Sequence, residues 1–128
     1  MVIIAPAAAL PAGAMMTTAP LAQFLSSAKS YVNAYQSAYG SSPGPYSTYE
    51  YDAVGVVAQA IRNAHSTTPS KITAALKSIS YKGISGSFHF DSAGDRKPAN
   101  YIIITVRGSS FAPYKEYDNT TKQWTNVS

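Results

Sequence analysis

A mixed α/β fold is what the sequence predicts, on three observations. Apolar residues recur at helical spacing in three successive segments between Leu21 and Ile79, the period changes to two after Ser80, and β-branched runs stand near both ends. Val2 to Ala5 is a short apolar run ahead of a proline, the form of a strand buried on both faces, and Ala14 to Thr18 is a second strand. From Leu21 to Tyr39, Phe24, Val32, Tyr35 and Tyr39 give a first helix that Gly40 stops. The connector Ser41-Ser42-Pro43-Gly44-Pro45 follows, and Ser47 with Glu50 three residues on has the form of a capping box opening a second helix. Its expected buried face is Val54, Val57, Ala58 and Ile61, and it ends near Ala64. Thr68 before Pro69 starts a third helix, with Ile72, Ala75, Leu76 and Ile79 as its apolar face.

Beyond Ser80 the alternation places Phe88 and Phe90 on one face of a strand and His89 on the other, leading into the turn Asp91-Ser92-Ala93-Gly94. Tyr101 to Val106 is the strongest strand signal, Phe111 to Tyr114 follows a Gly-Ser turn, and a last hairpin sets Trp124 against Tyr117. There is no internal repeat and no heptad. At 128 residues one core is expected, so residues 1–128 read as a single partial domain: strands and the first helix over 1–40, two helices over 46–80, and strands over 83–128.

Composition limits function. With 12% charged and 45% apolar residues the chain is globular, not a charge-solvated disordered segment. The net charge of +4 is scattered from Lys29 to Lys122 with no dense basic run, which argues against a nucleic-acid partner. Lacking cysteine, the chain has no disulfide, thiolate metal site or Cys nucleophile. Met1 to Met16 is apolar but has no basic n-region and is broken by Pro6 and Pro11, so it reads as structure and not as a signal peptide, and it is too short to span a bilayer.

Several residues invite a chemical reading that their surroundings do not support. His65 and His89 have no second ligand at metal spacing, and Asp91 to Asp95 lacks the twelve-residue spacing and closing glutamate of a calcium loop. Gly83-Ile84-Ser85-Gly86-Ser87 approaches a nucleophile elbow, but Ser87 replaces the final glycine and a strand follows where a helix is needed. No catalytic residue, metal or cofactor is expected. Tyr31, Tyr35 and Tyr39 form a stripe that reads as half-buried packing. Asn119-Thr120-Thr121 and Asn126-Val127-Ser128 fit the glycosylation acceptor pattern, a short match common in such tails.

Four stretches carry a resemblance. Tyr35 to Gly40 ends a helix in Tyr-x-x-x-Tyr-Gly, and Pro43 to Pro45 leads into the Tyr-rich segment Tyr46 to Tyr49 and the helix start Tyr51-Asp52-Ala53-Val54. Ala60-Ile61-Arg62-Asn63-Ala64 ends that helix, and Ile72 to Leu76 follows in a proline-started one. Gly83, Gly86, Phe90, Asp91, Gly94 and Asp95 mark a hairpin. In this order they resemble the C-terminal portion of type I periplasmic solute-binding proteins of the branched-chain amino acid type, the extracytoplasmic receptors of ABC importers. The resemblance implies a fragment of a bilobed fold and a small-molecule solute, an amino acid or similar, held between two lobes. It also implies a transporter permease as partner and an extracytoplasmic location.

It further places Tyr46 at the ligand side chain, at the start of helix two, where a ring can wall an apolar pocket, and Tyr49 is a second ligand-binding candidate beside it; the alternative is that these rings pack helix two onto its neighbour. Glu50 is the first acid in the chain, so the usual carboxylate partner of a ligand ammonium has no counterpart near the strand Ala14 to Thr18. The expectation is therefore a truncated or partial chain. Its rival is a self-associating module with the same elements and no solute, and either way unpaired apolar strands predict a homo-oligomer.

Overall fold

Residues 6–119 and 121–127 are described by the structure, a computed structural model. The expected strand Val2 to Ala5 lies outside them. The chain divides into two compact units, one built from residues up to Pro20 and from Asn100 onward, the other from Leu21–Ala99.

The first unit is a four-stranded antiparallel sheet in the order β1-β5-β6-β7, where β1 is Met15–Thr18, β5 Ile102–Arg107, β6 Ser110–Asp118 and β7 Gln123–Asn126. β5 is central, and its alternate residues Ile102, Ile104 and Val106 are buried, as period-two patterning requires. The Gly-Ser turn joins β5 to β6 as a two-residue loop between the paired Arg107 and Ser110, with Gly108 at φ 60°. β6 runs well past Tyr114. It carries a bulge at that residue, because Ile103 pairs with Lys115 and Ile104 with Pro113. Pro113, which has no N–H to give a ladder, thus sits beside the irregularity that tolerates it. Tyr117 and Trp124 face each other on β6 and β7 with ring centroids 5.3 Å apart.

The second unit holds the three α-helices found among the described residues, α1 (Lys29–Tyr39), α2 (Ser47–Ala64) and α3 (Pro69–Lys77), and a three-stranded antiparallel sheet of β2 (Ser80–Gly83), β3 (Gly86–Phe90) and β4 (Arg96–Lys97). Its core is Val56, Ala60, Ile79 and Phe88, flanked by Ile72, Ala75, Leu76, Tyr81 and Phe90. The third helix starts as expected, with Thr68 at the N-cap position and Pro69 first inside, although the Thr68 side chain makes no capping bond and Ile79 lies beyond the helix end at Lys77. Phe88 points inward and His89 outward, and Asp91 Oδ1 accepts from the backbone N–H groups of Ala93 and Asp95 in the turn that follows.

Three expectations are corrected. The first helix starts at Lys29, not near Leu21, because Ala22–Phe24 and Ser26–Ala28 are separate 3-10 turns joined through extended Leu25. Gly40, at φ 66°, ends it as expected. The capping box does not form: Tyr46 is the N-cap of α2 and Ser47 already its first helical residue, so Ser47 and Glu50 are one position out of register for the reciprocal bonds. The buried stripe of α2 is Thr48, Asp52, Val56 and Ala60, while Val54 is 73% exposed and Val57 42%.

The last difference has a physical cause. Apolar residues lie on two sides of α2, and the side that packs is the one where small residues permit close approach. A Cβ on Gly55 would lie 1.9 Å from Tyr81 Oη, so this glycine lets the Tyr81 ring rest against the helix. The same side carries Asp52, whose carboxylate is satisfied only there.

A tyrosine pair at the start of helix α2, backed by a buried polar clasp

The backbone entering α2 is fixed by two bonds. Pro45 O accepts the Ala22 N–H at 2.8 Å, and the Ser47 N–H bonds Gly44 O at 3.1 Å. Tyr46 then sits at the N-cap and Tyr49 one turn in, both half-buried, with ring centroids 6.4 Å apart and planes at 46°. The two residues singled out in the sequence are therefore neighbours on one end of one helix. Beside them the Ser47 Oγ and the Thr48 Oγ1 are buried, with no hydrogen-bond partner among the described residues.

Sequence reasoning did not find the groups beneath this pair. Asp52, one turn after Tyr49, is 2% exposed. Its Oδ1 accepts the Ile84 N–H at 2.9 Å, and its Oδ2 accepts the Ser85 N–H at 2.8 Å and the Ser85 hydroxyl in a short bond. Ile84 and Ser85 are the two-residue turn between β2 and β3, closed by the pairing of Gly83 with Gly86. A Cβ on Gly83 would lie 2.1 Å from Asp52 Oδ2, so the carboxylate occupies the space any other residue there would need. Ser27 Oγ donates to Ile84 O at 2.6 Å, adding a third segment to the same turn.

Arg96, at the start of β4, completes the cluster. Its Nη1 donates to Ser85 Oγ and its Nη2 to Ser85 O, each at 2.9 Å. The guanidinium carbon lies 4.1 Å from the Phe88 ring centroid and 5.4 Å from that of Tyr49. Burial pushes the Tyr49 phenol above its ordinary pKa, and the Arg96 cation opposes that shift. Burial also lowers the Arg96 pKa, against the pull of Tyr49 and Asp52.

Other candidates stand apart. Ser85 is 1% exposed, its hydroxyl held between a carboxylate and a guanidinium, so it lacks the access a nucleophile's role requires. His65 is the left-handed residue closing α2. Among the described residues no group of three or more His, Asp or Glu is placed to hold a metal, and no helix is long and apolar enough to cross a membrane. Asn119 donates its side-chain amide to Asn100 Oδ1 at 3.1 Å.

Three helices and two antiparallel sheets in this order are those of a type I periplasmic binding protein, a bilobed fold of which this chain is a part. Residues 12–109 match the family described as receptor family ligand binding region, and the chain belongs to that family. Among solved structures it is similar to a leucine binding protein, LivK, from Thermotoga maritima MSB8, with a TM-score of 0.72 and 26% identity over 86% of this chain and 32% of that one. A substrate-binding protein of an ABC transporter from Desulfitobacterium hafniense, in complex with Leu, gives 0.69 and 24% over 80% and 31%. An ABC-type branched-chain amino acid transporter protein from Rhodopseudomonas palustris CGA009 gives 0.70 and 15% over 90% and 33%. The chain thus spans about a third of the length of the proteins it resembles. A comparison with curated protein sequences finds no match.

Proposed function

We propose that this chain serves as the C-terminal part of an extracytoplasmic solute-binding protein of an ABC importer of the branched-chain amino acid type, and that Tyr46 and Tyr49 wall the apolar portion of the solute. The observation that carries this reading is the pair itself: two half-buried rings in contact at the first turn of α2, on a fold shared with proteins whose ligand is leucine. Half-buried rings offer apolar area without the cost of ordering flexible chains. The pair brings no carboxylate for an ammonium, since Asp52 beneath it is taken by three donors and Glu50 is exposed. Polar recognition of a free amino acid therefore falls to the remaining two thirds of such a receptor, and so does docking to the permease. The reading calls for non-covalent capture and no catalysis.

The test uses a chimera in which residues 12–109 replace the matched third of the Thermotoga maritima leucine binding protein, with calorimetry against leucine. The chimera is expected to bind, and Tyr46→Ala to weaken binding roughly tenfold or more, about 1.4 kcal/mol, while Tyr39→Ala, on an exposed side chain, leaves it unchanged. The unfused chain is expected to bind no tighter than about 1 mM. A chimera that folds and binds equally well with Tyr46 and Tyr49 both replaced by alanine would refute the reading.

A second reading is favoured by the exposed face of α2. Tyr51, Val54 and Val57 are 56%, 73% and 42% exposed on one helix, an apolar surface that self-association would cover. Light scattering at low micromolar concentration is expected to give a homodimer, and a stable 13.6 kDa monomer would exclude it.

A further inference from the structure

We propose that Arg96 is a positioning residue for the tyrosine pair, locked by the Asp52–Ser85 clasp so that its guanidinium forms a fixed platform under the Tyr49 ring. The inference rests on the reading above in one respect only: the ring it positions is one of the two proposed to wall the solute.

The geometry runs in sequence. A half-buried tyrosine at the start of a helix has a ring free to pivot about χ1 and χ2 unless something on its face resists. Here one resisting group is a planar cation on strand β4, beside the contact with Tyr46. A guanidinium held by one bond could swivel, but Nη1 and Nη2 bond the hydroxyl and the carbonyl of one residue, Ser85, which fixes the orientation of its plane. Ser85 is in turn immobile. Its N–H and hydroxyl are both given to Asp52 Oδ2, its neighbour's N–H goes to Oδ1, and the residue is 1% exposed. On its other side the guanidinium rests on Phe88, a member of the core.

The circuit closes on itself. Asp52 and Tyr49 stand three residues apart on one face of α2, so the helix that carries the ring also carries the anchor of the group that holds it. The Asp52 carboxylate, acting across the Ser85 hydroxyl, is also a counter-charge for a cation that burial would otherwise disfavour. A lysine could supply charge at this place but not a two-point attachment, and a glutamine could supply neither the charge nor the fork.

The test is made on the chain with tyrosine rings labelled with carbon-13, the Tyr49 signal being assigned from Tyr49→Phe. In Arg96→Gln the Tyr49 ring resonance is expected to shift and its phenol to titrate at higher pH, because the opposing cation is gone, while Tyr114 and Tyr117 of the other unit are unmoved. Ser85→Ala, which leaves the guanidinium without its two-point seat, is expected to shift the same ring, and Arg96→Lys, which keeps the charge without the two-point attachment, to retain the titration while still moving the ring resonance. Should Arg96→Gln unfold, the lysine and alanine variants carry the test. A Tyr49 resonance and titration unchanged in folded Arg96→Gln, or unchanged in both other variants, overturns the proposal. Leucine calorimetry on the chimera then separates the two ideas. Arg96→Gln is expected to weaken binding by about the same factor as Tyr49→Ala, with little added in the double variant. If the ring moves but neither substitution alters affinity, positioning stands and the ligand-wall reading falls. If Tyr49→Ala weakens binding while the ring is indifferent to Arg96, the reverse holds.

Discussion

The substitution Gly83→Ala puts the packing of the clasp to a quantitative test. The backbone at Gly83 is not among the positive-φ glycines, so alanine is conformationally acceptable there, and only the neighbour decides the outcome. The added Cβ would meet Asp52 Oδ2 at 2.1 Å, Cγ at 2.4 Å and Oδ1 at 2.6 Å, against an ordinary carbon–oxygen contact of about 3.3–3.6 Å. The carboxylate must therefore retreat by about 1 Å or more. Bonds of 2.9 and 2.8 Å to the Ile84 and Ser85 N–H groups do not survive such a displacement. Hydrogen bonds to a charged acceptor contribute about 1.5–3 kcal/mol each, non-additively, and losing a buried charged partner costs about 3–5 kcal/mol. Gly83→Ala and Asp52→Ala are each expected to cost in that range, a large part of the roughly 5–15 kcal/mol that holds a domain folded.

The informative measurement is the double variant. With Asp52 already alanine, the methyl at position 83 enters vacated space, and Gly83→Ala should cost less than about 1 kcal/mol, giving a coupling of about 2 kcal/mol or more. Any effect of alanine on the unfolded chain, about 0.4–1 kcal/mol, is common to both backgrounds and cancels. Urea unfolding followed by circular dichroism at 222 nm suits the question, because all three α-helices lie in the unit that holds the clasp. Equal costs of Gly83→Ala in the two backgrounds would show that Asp52 is not what excludes a side chain at this position.

Three further outcomes follow from the same structure. Val56→Ala is expected to cost about 2 kcal/mol in urea unfolding, and Val54→Ser to stay within about 0.5 kcal/mol; the opposite order would mean that α2 packs on its other side. Ser47→Ala should leave thermal stability unchanged or slightly raised, because its hydroxyl has no bond to lose, whereas a true N-cap serine would cost about 1 kcal/mol. The backbone N–H of Asp95, with those of Ala93 and the ammonium of Lys97, holds the Asp91 carboxyl below its ordinary value, so the stability it contributes is fully present above about pH 4 and is lost as the pH falls through the depressed value. Asp91→Asn is expected to flatten that acid dependence, and an unchanged acid limb would show that Asp91 is not its source.

How much of this was legible in the sequence depends on the range of the interaction. The strand Ile102 to Val106, the Phe88 and Phe90 alternation, the Gly40 stop, the Thr68-Pro69 start and the turn at Asp91 were all readable, since each is set by neighbours within a few residues. So was the proximity of Tyr46 and Tyr49, which one helical turn guarantees. The start of the first helix was not, because Leu21 to Ala28 has helical composition but is interrupted at the extended Leu25, while the Ala22 N–H is taken by Pro45 O, 23 residues away in sequence and invisible to a local reading. The phase of α2 was not legible either. Val54, Val57 and Ile61 form as good a stripe on paper as Val56 and Ala60, and an aspartate on a buried face reads as evidence against that face.

By itself the sequence determined the α/β class and the order of elements, because local periodicity and turn chemistry write themselves into consecutive residues, while the family entered through a resemblance carried by particular residues between Tyr35 and Asp95. Only the tertiary structure decided which side of α2 is inside, what Gly83 and Gly55 are for, and that Asp52, Ser85 and Arg96 meet. Asp52 and Ser85 are 33 residues apart and Ser85 and Arg96 are 11. No pattern at that separation marks a carboxylate whose desolvation is repaid only when a particular hairpin turn brings its three donors within reach.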